Sequence, residues 1–378
     1  MDQPWTTALP YRLPITVNPG TIPRMDRIVN VKVDLNQGLA DLGEAGIGKL
    51  QVFQVVEVDG QGTILNEKVP FQFDIEDRNT AANESRDTLA LYLPGLSPAE
   101  ANRQYHVYFG VPGKDYCVPL SSSYVTLTDA VMHQGQESYK IVTPGATYIY
   151  HKFGAGFASM LDPENLDWIS YHPWGGSDGK YRGIPNLVYP EGHFHPGNTG
   201  CHSQILHNGP LKVTIASEST DDLWACRWDI TPCYATLTVQ KAPQPYWFLY
   251  EGTPGGALDE DGDFIVRSSG ERTPASKSWD GAIPEPEWLY FGARNTNRVL
   301  YLVHHEHDEE IDSYWPMEHN MTVFGFGRMR LNKFMQLTPA HFTIGFVENN
   351  DFPAISRMID SAYKPVEVTV GACQSRAV

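Results

Sequence analysis

Arg298-Val299-Leu300-Tyr301-Leu302-Val303-His304-His305-Glu306-His307-Asp308 sets an unbroken apolar run directly against a cluster of imidazoles and carboxylates. Residues 299–303 are β-branched, aliphatic or aromatic, which predicts a buried strand. The polar residues that continue it must find partners, so His304 and His305 mark a place where a site can form. The same strand signal recurs at residues 211–217, 235–239, 246–250 and 341–347, whereas helical periodicity is convincing only at 352–363. Hydrophobic residues make up 41% of the 378, aromatics 12% and charged residues only 19%, with 33 Gly and 28 Pro. That mixture belongs to an all-β protein with polar, turn-rich loops rather than to a helical one.

The N-terminal third has its own strand pattern. Arg27-Ile28-Val29-Asn30-Val31-Lys32-Val33-Asp34-Leu35 alternates, and Leu50-Gln51-Val52-Phe53-Gln54-Val55-Val56-Glu57-Val58 ends in the hairpin signal Asp59-Gly60-Gln61-Gly62. Residues 88–93 and 105–109 follow. Between them Leu93-Pro94-Gly95-Leu96-Ser97-Pro98 leads into Tyr105, which resembles the tyrosine corner of immunoglobulin-like sandwiches. Residues 1–118 are therefore expected to form a small immunoglobulin-like β-sandwich without a reactive cluster. A linker runs from Gly113 to Ser123, and residues 124–370 are expected to form one large, mostly antiparallel domain. No repeat of about 40 residues is visible, which argues against a propeller.

The formal charge of −17 disfavours nucleic acid and anionic membranes as partners. No stretch reaches the roughly 20 apolar residues of a membrane span. Met1-Asp2-Gln3-Pro4 lacks the features of a signal peptide, so a cytoplasmic protein, or a secreted one with its leader removed, is expected. Five cysteines (117, 201, 226, 233, 373) without CxxC spacing do not suggest a disulfide framework, although Cys226 and Cys233 could pair across a bend.

Eight of the 13 histidines fall in two stretches, His172 to His207 and His304 to His307. Imidazole serves proton transfer and metal ligation near neutral pH better than any other side chain. In an extended segment residues i and i+2 face the same way, so His193 with His195, and His304 with Glu306, are each expected to converge. Together these four could ligate a divalent metal or form an acid–base array; no other cofactor is indicated. Tyr181-Arg182 lies in a turn-rich loop, where the guanidinium matches a carboxylate and the phenol can move a proton. Trp224, Cys226 and Trp228 alternate with Arg227 and Asp229, and Glu251 closes the apolar strand at 246–250 before Gly252-Thr253-Pro254-Gly255-Gly256. Aromatics flanked by polar groups suit sugars. Asp259-Glu260-Asp261-Gly262-Asp263 lacks the Glu of an EF-hand, and Gly154-Ala155-Gly156-Phe157 lacks a dinucleotide-binding context.

Asp167-Trp168-Ile169-Ser170, Tyr181-Arg182-Gly183-Ile184-Pro185-Asn186, Tyr250-Glu251-Gly252-Thr253-Pro254-Gly255-Gly256 and Met321-Thr322-Val323-Phe324-Gly325-Phe326-Gly327-Arg328 together resemble bacterial carbohydrate-active proteins with a galactose-mutarotase-like β-supersandwich. The resemblance spans about residues 140–348. It implies a supersandwich for the second domain and a sugar in the concave face of its sheet, and it assigns no catalytic residue. The resulting expectation is an enzyme that cleaves a poly- or oligosaccharide, by β-elimination at a uronic acid. Tyr181, Arg182, His195, Glu251, His304 and Glu306 would be catalytic, and His172, Trp174, His193, His202, Arg227 and Arg328 would hold substrate. A glycosidase using Glu251 and Glu306, and a non-catalytic sugar-binding protein, remain as alternatives. Assembly into a homo-oligomer is left open.

Overall fold

Residues 298–304 form the expected strand, and all seven are buried. Arg298–His304 pairs antiparallel with Trp288–Gly292 on one side and Ala340–Glu348 on the other. The computed structural model describes residues 5, 7–44, 53–74, 87–110, 122–173, 182–190 and 192–376. Across these the chain is all-β, built from antiparallel sheets, with α-helices only at Leu35–Asp41 and Phe352–Tyr363 among the described residues. It divides into two compact units, Met1–Ser123 with Lys364–Val378, and Tyr124–Tyr363.

In the second unit the central strand lies in a nine-stranded sheet. Its order is Cys201–Asn208, Val213–Ser219, Ala225–Ile230, Tyr234–Lys241, Ala340–Glu348, Arg298–His304, Trp288–Gly292, Phe264–Arg267 and Arg272–Pro274. Strand parity splits its side chains. Leu300 and Leu302 join the main core, with Trp228, Leu237, Phe342 and Ile344. Val299, Tyr301 and Val303 face the other way and pack with Ile355, Ile359 and Ala362 of the helix Phe352–Tyr363. Those helix positions are spaced four and three apart, which gives one apolar stripe. Asp351 opens the helix by accepting from the Ala354 amide at 3.0 Å, and Pro365 lies just beyond its end. Burial of Ile355 and of Ile359 contributes about 1.5–3 kcal/mol each.

The main core is closed by two four-stranded sheets. One orders Gly156–Leu161, Thr147–His151, Gln136–Val142 and Thr126–His133; the other orders Phe248–Gly252, Met321–Phe326, Asp312–Met317 and Trp279–Gly281. Aromatic contacts join them to the large sheet: Phe157 lies 4.5 Å from Trp228, and Phe248 stacks on Phe342 at 4.5 Å. Trp224, Cys226 and Trp228 are core residues, while Arg227 on the opposite face pairs with Asp229 at 3.0 Å.

The first unit pairs Tyr11–Asn18 with Arg103–Phe109 and, beyond that, Phe53–Val58 with Ile64–Asn66 across the Asp59–Gly62 turn. A three-stranded sheet of Arg24–Val33, Asp87–Ser97 and Phe71–Asp74 supplies the other half of its core. Three sequence expectations need correction here. Glu367–Val370, expected at the end of the second domain, instead pairs with Tyr11–Asn18 in the first unit. The alternating run expected to continue through Leu35 ends as a strand at Val33, and Leu35 opens a helix, Leu35–Asp41, capped by Asp34, whose side chain accepts from the Gln37 amide. Tyr105 is buried, but its hydroxyl has no hydrogen-bond partner, so the bond that defines a tyrosine corner is not made. Cys201, Cys226 and Cys373 are free thiols, so Cys226 does not pair with Cys233, and Cys117 lies outside the described residues. No described helix is long and apolar enough to cross a membrane.

Candidate active site

The sheet containing Phe248–Gly252 turns one face to the core and the other to a cavity. Phe248, Tyr250, Tyr314, Phe324 and Phe326 point inward. The intervening residues Trp247, Leu249, Met321 and Val323 pack together on the far face, with Met317 beside them. That face is the floor of a cavity of 410 Å³, to which Glu251, His195, Asn186, Trp315 and Arg328 also contribute. An apolar, aromatic floor with a few convergent polar groups is the usual composition of a small-molecule site. The cavity therefore lies on the smaller sheet, not on the concave face of the large one.

Glu251 reaches the cavity because strand parity places it on the same side as Leu249. Its backbone exchanges two hydrogen bonds with Gly183, at 2.8 and 3.0 Å, which brings residues 182–190 alongside. Asn186 then donates its side-chain amide to Glu251 Oε2 at 3.3 Å. His195 arrives on a different segment, and not by strand parity. Phe194 sits in the left-handed region (φ 50), so His193 and His195 diverge. His193 Nδ1 donates to the Gly200 carbonyl at 3.0 Å, and His195 turns to Glu251. Gly197 also has a left-handed φ of 84, and a Cβ there would lie 2.1 Å from the Tyr171 hydroxyl. That close approach seats the turn carrying His195, and the Gly197 amide donates to His151 Nδ1 at 3.0 Å.

The His195–Glu251 contact has a definite proton count. His195 Nδ1 lies 2.7 Å from the Pro196 carbonyl, which can only accept, so Nδ1 carries a hydrogen. His195 Nε2 lies 2.8 Å from Glu251 Oε2. A hydrogen bond there needs one more proton, shared between an imidazolium–carboxylate and an imidazole–carboxylic acid form. His195 is 2% exposed and Glu251 8%, so this proton is held in a dry setting at the cavity wall. Arg328 is fixed beside them: its Nε donates to the Arg330 carbonyl at 3.0 Å, and its guanidinium stands 5.8 Å from the Trp247 ring centre. Burial lowers its pKa, while the Glu251 carboxylate opposes that shift.

A second histidine group forms where Trp288 pairs with Val303, because this register sets Glu287 opposite His304. His304 Nδ1 lies 3.0 Å from Glu287 Oε2 and 3.8 Å from Asp308 Oδ2, and its Nε2 lies 3.7 Å from Glu306. Its ring stacks on Phe342 at 4.9 Å. Burial, and then the charge of Asp308, push Glu287 up to about 9. Burial likewise raises Asp312 well above the usual carboxylate range and lowers His304. Glu306 is held low, against its burial, by hydrogen bonds from the His341 side chain and backbone amide.

The sequence-predicted residues thus divide. Glu251, His195 and Arg328 meet at the cavity, and His304 and Glu306 lie in the second group. The expected metal set of His193, His195, His304 and Glu306 does not form one cluster. Among the described residues, the group whose ligand atoms lie together is Glu287, His304 and Asp308. Arg182 is buried and donates through Nη1 to the Ser170 carbonyl at 3.3 Å, away from the cavity lining. His172 and His202 are exposed, and neither they nor Arg227 line the cavity. Tyr181 and Trp174 lie outside the described residues. Sequence reasoning missed Asn186, Glu287 and His341 as site residues, and also the pair His133–His151, whose ring nitrogens lie 3.0 Å apart. For Asn186 a signal existed: it stands four residues after Arg182 in the same polar loop.

No protein-family model and no curated protein matches the chain. Among solved structures 27 chains match. One of them, HI1317, known from a crystal structure analysis, is 13% identical, over 59% of this chain and 99% of that one, with a TM-score of 0.43. At that level the likeness fixes neither the fold nor the function.

Proposed function

We propose that the protein is a carbohydrate-active enzyme that cleaves a uronic-acid-containing glycan by β-elimination in the 410 Å³ cavity. The observation that carries this reading is the His195–Glu251 pair, 2.8 Å apart and sharing one proton, beside Arg328 and an aromatic floor. In elimination, Glu251 takes the proton from C5 of the uronate, and the electron pair it leaves forms the C4=C5 bond. The C4–O bond breaks, and the His195 Nε2 proton passes to the departing oxygen. Arg328 takes the role expected of Arg182, facing the substrate carboxylate and stabilising the charge that develops. Trp315, exposed at the cavity, offers a ring face to the sugar. Elimination is favoured over hydrolysis because, among the described residues, Glu251 is the single carboxylate of the cavity lining, while Glu306 is engaged by His341.

The test is a panel of purified uronic-acid polysaccharides, with unsaturated product followed by its near-ultraviolet absorbance. Absorbance should rise with the wild type and not with Glu251→Gln. New reducing ends without absorbance would replace elimination by hydrolysis. Saturable binding without either product would make the protein a sugar-binding module.

A further inference from the structure

We infer that Glu287, His304 and Asp308 form a binding site for one small divalent transition cation, such as Zn2+ or Mn2+. Nothing in this inference depends on the sugar reading, because none of the three residues lines the cavity. Ligand atoms about 2.0–2.2 Å from one such cation stand about 3–3.5 Å from each other. His304 Nδ1 is 3.0 Å from Glu287 Oε2 and 3.8 Å from Asp308 Oδ2, and the three ligand atoms lie within 4.8 Å of one another.

A second observation separates this group from an ordinary buried ion pair. His304 is 2% exposed and Glu287 4%, yet neither ring nitrogen and neither carboxylate oxygen has a well-aligned hydrogen bond, the Asp308 backbone amide giving Glu287 only a weak one. The approach of Nδ1 to Oε2 is close but not aligned for one. Buried polar atoms are satisfied in the great majority of cases, so the Glu287 carboxylate oxygens and His304 Nδ1, unsatisfied and side by side, call for a partner, while Nε2 faces Glu306 on the other edge of the ring. No lysine or arginine pairs with Glu287, Asp308 or Asp312 among the described residues. A dication would match the two ligand carboxylates in charge and give each unsatisfied oxygen, and Nδ1, an electrophile.

The supporting structure is what ligands need. Stacking on Phe342 fixes the imidazole plane, and the backbone bond from the His304 amide to the Glu287 carbonyl, at 3.0 Å, fixes the strand spacing. Asp308 is only partly buried, so water can reach that side and complete the coordination shell. One imidazole with two carboxylates suits zinc or manganese better than the all-oxygen shells of calcium and magnesium.

The experiment uses the full, untagged chain, stripped with a chelator and titrated separately with Zn2+ and Mn2+ by calorimetry, with elemental analysis for stoichiometry. One ion per chain is expected for at least one of the two metals. Asp308→Asn should weaken its binding about 100-fold or more, and Glu287→Gln should abolish it. Glu271→Gln, at an exposed pair with Arg267, should leave it unchanged. If Glu287→Gln fails to fold, Asp308→Asn decides, because that side chain reaches solvent. Absence of a stoichiometric ion of either metal in the wild type, or unchanged binding in Asp308→Asn, would overturn the site.

Discussion

His195 and His304 each lie against a glutamate, at 2.8 and 3.0 Å, and each is almost fully buried, yet the two contacts do different things. His195 meets Glu251 in an aligned hydrogen bond, with its other nitrogen bonded to a carbonyl and the cavity beside it. His304 meets Glu287 out of alignment, with Asp308 and Glu306 near and no hydrogen bond on either nitrogen. The same two residue types therefore hold a proton in one place and leave lone pairs converging in the other. Distance alone does not separate a proton-transfer pair from a ligand set. The direction of the lone pairs does.

The largest test of this contrast is on turnover. Glu251→Gln and His195→Ala should each lower the rate on a cleavable glycan about 10²- to 10⁴-fold, the usual worth of a positioned proton donor or acceptor. Glu251→Gln preserves shape and the Asn186 contact, so its thermal midpoint should stay close to wild type. A variant that keeps more than a tenth of the wild-type rate would remove the pair from the chemistry.

Next in size is the effect of metal on the other group. At about a hundredfold excess over Kd, a bound ion adds roughly 2.7 kcal/mol. For a unit of this size that corresponds to about 5–10 °C in thermal midpoint. Chelator should lower the wild-type midpoint by that amount and leave Asp308→Asn unmoved. Equal shifts in both proteins would erase the distinction between the two histidines.

A third histidine sharpens the comparison because it has no carboxylate. His151 accepts from the Gly197 amide, and burial, followed by the neighbouring His133 and His195, pushes its pKa down to about 3. Its folded-state pKa is thus depressed below the ordinary value near 6.5. The stability it contributes is complete above that value and is lost as pH falls toward 3. His106 in the first unit, pushed down to about 4 by burial and by Arg12, works in the same direction. Urea unfolding should therefore show a midpoint that declines from pH 7 to pH 4. His151→Asn, which keeps an acceptor for Gly197, should flatten that decline. An unchanged slope would assign acid sensitivity elsewhere.

What could be read from the sequence follows from how local each feature is. Arg298–His304 was legible to the residue because five successive apolar side chains admit few other readings, and the helix Phe352–Tyr363 because its apolar positions repeat at helical spacing. Glu251 was legible as the polar end of an apolar strand. His195 was singled out by i, i+2 parity, which Phe194 then breaks, so its place at the cavity owes nothing to that argument. Glu287 gave no sign at all, since it meets His304 through a cross-strand register between residues 17 apart in sequence. The return of Glu367–Val370 to the first unit was equally silent, because pairing at a sheet edge leaves no local pattern.

The smallest expected effect concerns Trp315, and it distinguishes binding from chemistry within the cavity itself. Trp315 is 49% exposed on the strand Asp312–Met317, while its neighbour Tyr314 is buried in the core. An exposed indole costs little to remove from the fold, because it buries little area there. Its ring can still stack on a sugar, a contact worth about 0.5–1.5 kcal/mol, or roughly a 3- to 10-fold change in affinity. Trp315→Ala should therefore raise KM by about that factor and leave kcat near its wild-type value, since the His195–Glu251 distance does not depend on it. A fall in kcat with unchanged KM would mean that Trp315 acts in the transition state rather than in ground-state binding. The proton-transfer pair and the aromatic floor would then work as one unit.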